Sequence, residues 1–404
     1  MDIKPILSAL RRHRVAAALI TLEIALACAV LCNAFFLVNN RQELMRIVSG
    51  VDESATGVIA LSGCEGCGNA DFNARVLGAL RAIPGLRAAG TANSTPFGPR
   101  AGYMGASLDR EEQHWAGVLH FYLFDAAAIE ALDLHPVQGS PFASDDFQPV
   151  ENFIPTEAPV WVTRALAEHL WPGENPLGRE LWSGGHFRVT GVVENFAVTS
   201  PGRSEEGVAG AQWSVIVPVR DDAQSGSYVL RADALDLPRV MQAAREAVAR
   251  AVPEAVLDLQ QSRELSELRE RYFRSDRAMA CLLIGVIAAM LLVTALGIIG
   301  LASFWVQQRT RQIGVRRALG ATRSDILRYF QTENFLLAGM GIALGMGLAY
   351  GGNLLLMRHF ELARLPLAYL PAGACLLWLI GQIAVLGPAL RAAAIPPATA
   401  TRSA

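Results

Sequence analysis

The sequence holds a single lysine, Lys4, in 404 residues. A phosphate loop of the form Gly-x-x-x-x-Gly-Lys-Ser/Thr needs its lysine to reach the β and γ phosphates of a nucleotide, so these residues contain no such loop. ATP hydrolysis by that route is excluded, no cofactor is expected on the chain itself, and any ATP-driven work calls for a motor on another subunit. Metal-ligand spacing is missing too. His114, His120, His135, His169 and His186 are scattered, with no His-Glu-x-x-His pair, and read as ordinary domain residues. Charge is almost absent from four long stretches, which Glu23 alone interrupts.

Those stretches are Val15 to Val38, Ala278 to Val306, Phe335 to Met357 and Leu365 to Leu390. Each reaches the roughly 20 residues needed to cross about 30 Å of hydrocarbon at about 1.5 Å per residue. The alternative, four helices inside a soluble core, would need core helices that are apolar on every face over such lengths. The first stretch follows basic residues as a signal peptide would. It is too long for the apolar region of one, and no small-x-small cleavage site precedes Asn39 and Asn40, so it is read as a retained span.

Arginine sets the orientation. Lys4, Arg11, Arg12 and Arg14 precede the first span, Arg309, Arg311, Arg316, Arg317, Arg323 and Arg328 lie between the second and third, and Arg391 and Arg402 follow the fourth. The positive-inside rule then makes segments 1–14, 307–334 and 391–404 cytoplasmic, and leaves 39–277 and the short loop 358–364 outside. The expected architecture is four transmembrane helices in a one-plus-three arrangement, at 15–38, 278–306, 335–357 and 365–390, with a large extracytoplasmic α+β domain. Residues 39–276 carry 20 arginines against 32 aspartates and glutamates, a net charge of −12, whereas the whole chain is −2. An acidic outer domain offers no case for nucleic acid.

Within that domain, Trp161 to Thr163, His186 to Val193 and Trp213 to Val219 have strand character, and Ala70 to Arg81, Arg164 to Leu170 and Leu237 to Ala251 recur at helical spacing. Two amphipathic segments flank it. Gln260 to Arg277 runs without Pro or Gly into the second span, and Asn39 to Val48 continues the first. They fit either a helical stalk that carries movement or plain helix continuation with a solvated face. Cys28, Cys32, Cys281 and Cys375 fall in the spans. Cys64 and Cys67 fall outside, where a Cys-Glu-Gly-Cys pair invites a disulfide staple, with metal or redox work as the alternative. Glu23 sits about 12 Å into its span by helix rise, which calls for a polar partner, such as a cytoplasmic arginine, or for a functional role.

The cytoplasmic segment reads as a basic helix closed by Gly320, followed by an N-cap at Thr322 or Ser324 that opens the next helix. Ile313, Arg316, Arg317 and Leu319 can form a mixed apolar and cationic knob for an acidic groove, with Gly314 allowing close approach; alternatively, the arginines only anchor topology.

The run Arg309-Thr310-Arg311-Gln312-Ile313-Gly314-Val315-Arg316-Arg317-Ala318-Leu319-Gly320-Ala321-Thr322, followed by Gln331-Thr332-Glu333, resembles the signature of FtsX-like permeases of the MacB type. Gln312 departs from it, standing where that family usually has Glu. Trp161 to Ala167, Leu170 to Arg179 and Val189 to Phe196 resemble the family's periplasmic core domain, and Pro388 to Ala398 resembles its close, so that residues 276–398 correspond to the permease domain.

The resemblance implies that Ile313, Gly314, Arg316, Arg317, Leu319 and Gly320 belong to a coupling helix that meets an ABC ATPase dimer, which alone would use ATP and Mg. It further implies a second permease subunit, homologous or identical, and in some members a membrane-fusion adaptor and outer-membrane channel. The chain would then be a multi-pass inner-membrane permease that converts ATP hydrolysis into movement of its periplasmic domain, expelling or extracting an extracytoplasmic substrate. Two other readings stay open: an ATP-driven transducer acting on a periplasmic partner, and a membrane redox protein using Cys64 and Cys67.

Overall fold

The computed structural model describes residues 14–62, 68–99, 102–150, 153–204, 206–360 and 365–396, so Cys64 and Cys67 lie outside the described residues. In chain order, α1 (Arg14–Met45) leads to β1 (Thr56–Ser62), α2 (Asn69–Arg81), β2 (Leu86–Thr91), β3 (Tyr103–Ser107), β4 (Trp115–Phe124) and α3 (Ala126–Leu132). Next come β5 (Gln138–Gly139), β6 (Glu157–Thr163), α4 (Arg164–Leu170), β7 (Glu180–Trp182), β8 (His186–Val193) and β9 (Ser214–Pro218). The outer part finishes with β10 (Ser227–Ala232), α5 (Leu237–Ala251), β11 (Val256–Leu257) and α6 (Leu265–Tyr272). Four helices follow: α7 (Arg274–Gln308), α8 (Thr310–Ala318), α9 (Arg323–Phe360) and α10 (Tyr369–Ala393).

The chain divides into two compact units, residues 1–42 with 276–404, and residues 43–275. In the first, α1, α7, α9 and α10 are each long and apolar enough to cross a membrane. They pack around Ile24, Cys28, Leu31, Ile298, Ile342 and Leu377. Three of the expected spans lie inside longer helices. The fourth begins later than expected, at Tyr369, because the chain first turns over residues 366–369: the Tyr369 N–H donates to the Pro366 carbonyl at 3.1 Å, and just before the turn the Leu365 N–H donates to Asn353 Oδ1 at 2.9 Å.

The outer unit is α+β and contains two sheets. A four-stranded antiparallel sheet has the order β11-β1-β10-β2. On it lie α2 and α5, whose Val76, Leu80, Val240, Met241 and Ala244 meet Ile59, Tyr228 and Leu230. The second sheet has the order β5-β8-β6-β9-β4-β3-β7, and β7 also pairs with β8, so six of its strands close into a barrel. Period-two alternation decides what fills it. Leu119, Phe121 and Leu123 of β4 and Val215 and Val217 of β9 point inward. Their neighbours Tyr122, Phe124 and Ile216 point out, to a layer shared with α3 and with Val229 of the flat sheet.

Segment 260–277 is not one continuous helix. It breaks at Phe273, whose buried ring turns into a cluster with Phe97 (5.7 Å between centroids), Leu44, Ile47, Leu265 and Leu268. Arg269 fastens the same region: its Nη2 donates to the carbonyls of Met45 and Ile47, each at 2.7 Å, and its Nη1 to Glu53 at 2.7 Å.

Candidate functional site

Segment 307–334 opens with the nine-residue helix α8, joined to α7 by one residue, Arg309. Its end is fixed by local chemistry. Gly320 takes φ +101°, the Ala321 N–H donates to the Arg316 carbonyl at 3.1 Å and the Gly320 N–H to the Arg317 carbonyl at 3.2 Å. This six-to-one and five-to-two pair is a Schellman closure, which needs a left-handed residue after the C-cap and so favours glycine there. The next helix opens on Thr322. Its Oγ1 accepts from the Asp325 N–H at 3.2 Å while Asp325 Oδ2 accepts from the Thr322 N–H at 2.9 Å, a reciprocal cap that satisfies two otherwise unpaired donors.

The residues singled out from sequence divide between the two faces of α8. Ile313 is buried against Ile326 and Phe330, and Gly314 is buried beside it. Ile313 therefore belongs to the helix's seat, not to an outward contact. Arg317 is also turned inward: its Nη1 donates to the carbonyls of Ala393 at 2.8 Å and Ile395 at 3.1 Å, at the end of α10. Arg316 is exposed and stacks over the Tyr329 ring at 4.8 Å. Leu319 is the most exposed apolar residue of the segment, at 83%. Val315, four residues earlier, is exposed as well, and Arg311, four residues before that, completes a solvent-facing stripe at helical spacing.

Two site residues were missed from sequence. Arg309 Nη1 donates to both carboxylate oxygens of Glu333 at 3.0 Å, and the pair is buried, with Glu333 at 1% exposure. The guanidinium lies 5.4 Å from the Trp305 ring. The signal in the sequence was the Gln331-Thr332-Glu333 run, but nothing local couples it to an arginine 24 residues upstream.

Glu23 is half-buried in α1 and faces Gly297 of α7, where a Cβ would sit 2.7 Å from its Oε1. The missing side chain at Gly297 makes room for the carboxyl. Among the described residues Glu23 forms no ion pair; Arg11 and Arg12 lie outside the described residues. No group of three or more His, Cys, Asp or Glu among the described residues converges as a metal site. In the outer unit an open cleft of about 670 Å³, walled by Ile129, Leu134, Phe142, Phe147 and Trp161 with Arg81 at its edge, was not foreseen; Phe142 stacks on Trp161 at 4.0 Å.

Residues 284–397 match the FtsX-like permease C-terminal family. Over 290 residues, 68% of its length, the chain is 30% identical to the macrolide export ATP-binding/permease protein MacB of Rhodospirillum rubrum, covering 41% of that protein. Over 238 residues, 57% of the chain, it is 31% identical to the pyoverdine export ATP-binding/permease protein PvdT of Pseudomonas fluorescens, covering 35% of that protein. The chain thus spans about two fifths or less of these curated relatives. Among solved structures, the periplasmic region of MacB from Actinobacillus actinomycetemcomitans is similar over 57% of this chain and 97% of that one, with a TM-score of 0.33 and 11% identity. The extracellular domain of the noncanonic ABC-type transporter YknZ is similar over 50% of this chain and 99% of that one, with a TM-score of 0.33 and 13% identity.

Proposed function

We propose that this chain, which carries an FtsX-like permease domain and is homologous to MacB and PvdT, is the membrane subunit of an ABC exporter. In this reading a separate ATPase dimer hydrolyses ATP with Mg and works against two permeases, identical or related. Both termini are cytoplasmic and the acidic α+β domain is periplasmic. Its movement expels or extracts a substrate outside the inner membrane, with an adaptor and outer-membrane channel as further partners. The spans are almost without charge, which suits transmission of movement better than passage of a polar substrate through them.

The observation that carries this reading is the stripe Arg311, Val315 and Leu319, solvent-facing on a short helix whose other face is seated by Ile313 and Arg317. Two aliphatic side chains held out from a cytoplasmic helix with cations around them fit an apolar groove with an acidic rim. Truncating a buried interface anchor commonly costs more than ~1 kcal/mol, whereas rim charges mostly tune association rate. The first prediction is that Leu319→Asp and Val315→Asp each weaken ATPase binding at least ~10-fold, while Arg311→Gln has a smaller effect that shrinks with salt. Binding and ATPase stimulation of the permease in nanodiscs provide the measurement. Full binding by both aspartate variants, inserted normally, would mean that α8 is not the docking element.

A further inference from the structure

Arg309 is the whole joint between α7 and α8, and its partner Glu333 stands on α9. One ion pair therefore ties three helices at the point where α8 turns. Its surroundings are incomplete: the buried Trp305 Nε1, Asn334 Nδ2 and Arg309 Nη2 have no hydrogen-bond partner. Trp305, Glu333 and Asn334 line a cavity of about 20 Å³ with Ile20, Ile298 and Leu337. That is room for one water, which two donors and a carboxylate would hold.

A buried ion pair is a poor way to gain stability, because desolvating both charges offsets most of their attraction, and an aliphatic pair would fill the same space. What the pair supplies is position. A carboxylate bound through both oxygens by one Nη fixes where the α7–α8 joint lies on α9.

We propose that Arg309 and Glu333 are the pin through which α8, once docked, moves α7 and α9. They are positioning residues, not docking residues, and the transmission part of the proposal rests on the coupling reading of α8. The positioning part does not, and is tested on the permease alone.

Spin labels at Leu319→Cys, the C-cap of α8, and Leu344→Cys on α9, both exposed positions, report the placement of α8 in a background lacking native cysteines. The distance distribution should be narrow with the pair intact and broadened in Glu333→Gln. It should narrow again, at least in part, in the reversed pair Arg309→Glu with Glu333→Arg. A distribution that stays narrow in both Glu333→Gln and Arg309→Gln would overturn the proposal. With the ATPase bound, Glu333→Gln should keep affinity within about twofold while ATPase stimulation falls at least tenfold, a split that general loss of structure would not produce. Full stimulation, or loss of binding in step with loss of stimulation, would remove the transmission role. Leu319→Asp in the same assay separates the two ideas: if it binds normally the docking reading fails, and the label distances still decide the pin.

Discussion

In the membrane unit, helices approach until a glycine lies against its neighbour's backbone; in the outer unit, large rings hold the layers apart. On α9, a Cβ at Gly345 would sit 2.5 Å from the Ala25 carbonyl oxygen of α1, and one at Gly341 would sit 2.8 Å from Ile24 Cβ. The outer unit's largest fully buried side chains are Trp161, Tyr122, Tyr228, Phe121 and Phe124. The difference follows from the solvent. Among lipid tails there is no apolar surface to remove from water, so small residues and close van der Waals contact must hold helices together. In water, burial itself drives association, and ring area is what counts.

If burial holds the outer unit together, it should survive without the membrane, and its boundaries should be those of its core. The largest expected effect comes from cutting inside them. Residues 43–275 retain Leu44, Ile47, Leu265, Leu268 and Phe273 around Phe97, whereas a fragment of 50–260 loses all five. Each fully buried side chain of this kind contributes ~1.5–3 kcal/mol, and a domain's net stability is only ~5–15 kcal/mol. Fragment 43–275 should melt cooperatively, and 50–260 should be lower by several kcal/mol or aggregate. Equal denaturation midpoints would show that this cluster belongs to the membrane side of the molecule.

A smaller effect is expected where close approach, not area, is at stake. Gly345→Ala forces α1 and α9 apart against backbone and should cost ~1–3 kcal/mol, the usual range for overpacking. Gly347→Ala, two residues on, meets nothing within 4 Å and should be neutral or mildly stabilising through helix propensity. Detergent titration of unfolding compares them. Equal values would sink the claim that glycine contact sets helix separation here.

The same contrast explains what the sequence made legible. Spans were visible because an apolar run carries its own signal, and so were α2, α4, α5, β6 and β8, where periodicity is local. The strands β1, β2 and β10 were not. Leu86–Thr91 is short and rich in Ala and Gly, and β10 pairs with β1 and β2 across more than a hundred residues, so no local pattern announces the ladder. Around α8, Gly320 and Thr322 could be read because caps are local chemistry. The inward turn of Ile313 could not, since Ile313 and Val315 are both aliphatic and only the position of α9 decides which is covered. Arg309 looked like another topology charge until Glu333 was seen beside it.

The smallest effect tests whether the outer unit's burial extends to a charge. Asp125 caps α3: its Oδ1 accepts from the Ala128 N–H at 2.6 Å, and its Oδ2 from the Thr91 N–H at 2.9 Å and the Thr91 hydroxyl at 3.1 Å. Burial pushes its carboxyl above the usual aspartate range despite those bonds, and nearby Asp221 adds to the rise. A carboxyl raised on folding contributes stability that is fully present below its unfolded pKa and is lost as pH rises through its folded pKa. Asp125→Asn has the same shape but cannot ionise, so that dependence disappears, and it loses one acceptor at a fixed cost of ~1–3 kcal/mol. In fragment 43–275 the wild-type advantage in Tm should therefore be larger at pH 4 than at pH 7. Carboxyls that move the other way, such as Asp52, which Ser54 holds down by hydrogen bonding, are common to both proteins and cancel in the difference. A change of ~1 kcal/mol corresponds to about 2–4 °C for a unit of this size, within reach of calorimetry. An advantage that is constant with pH, or larger at pH 7, would mean that the three donors outweigh burial and that Asp125 sits comfortably as an anion.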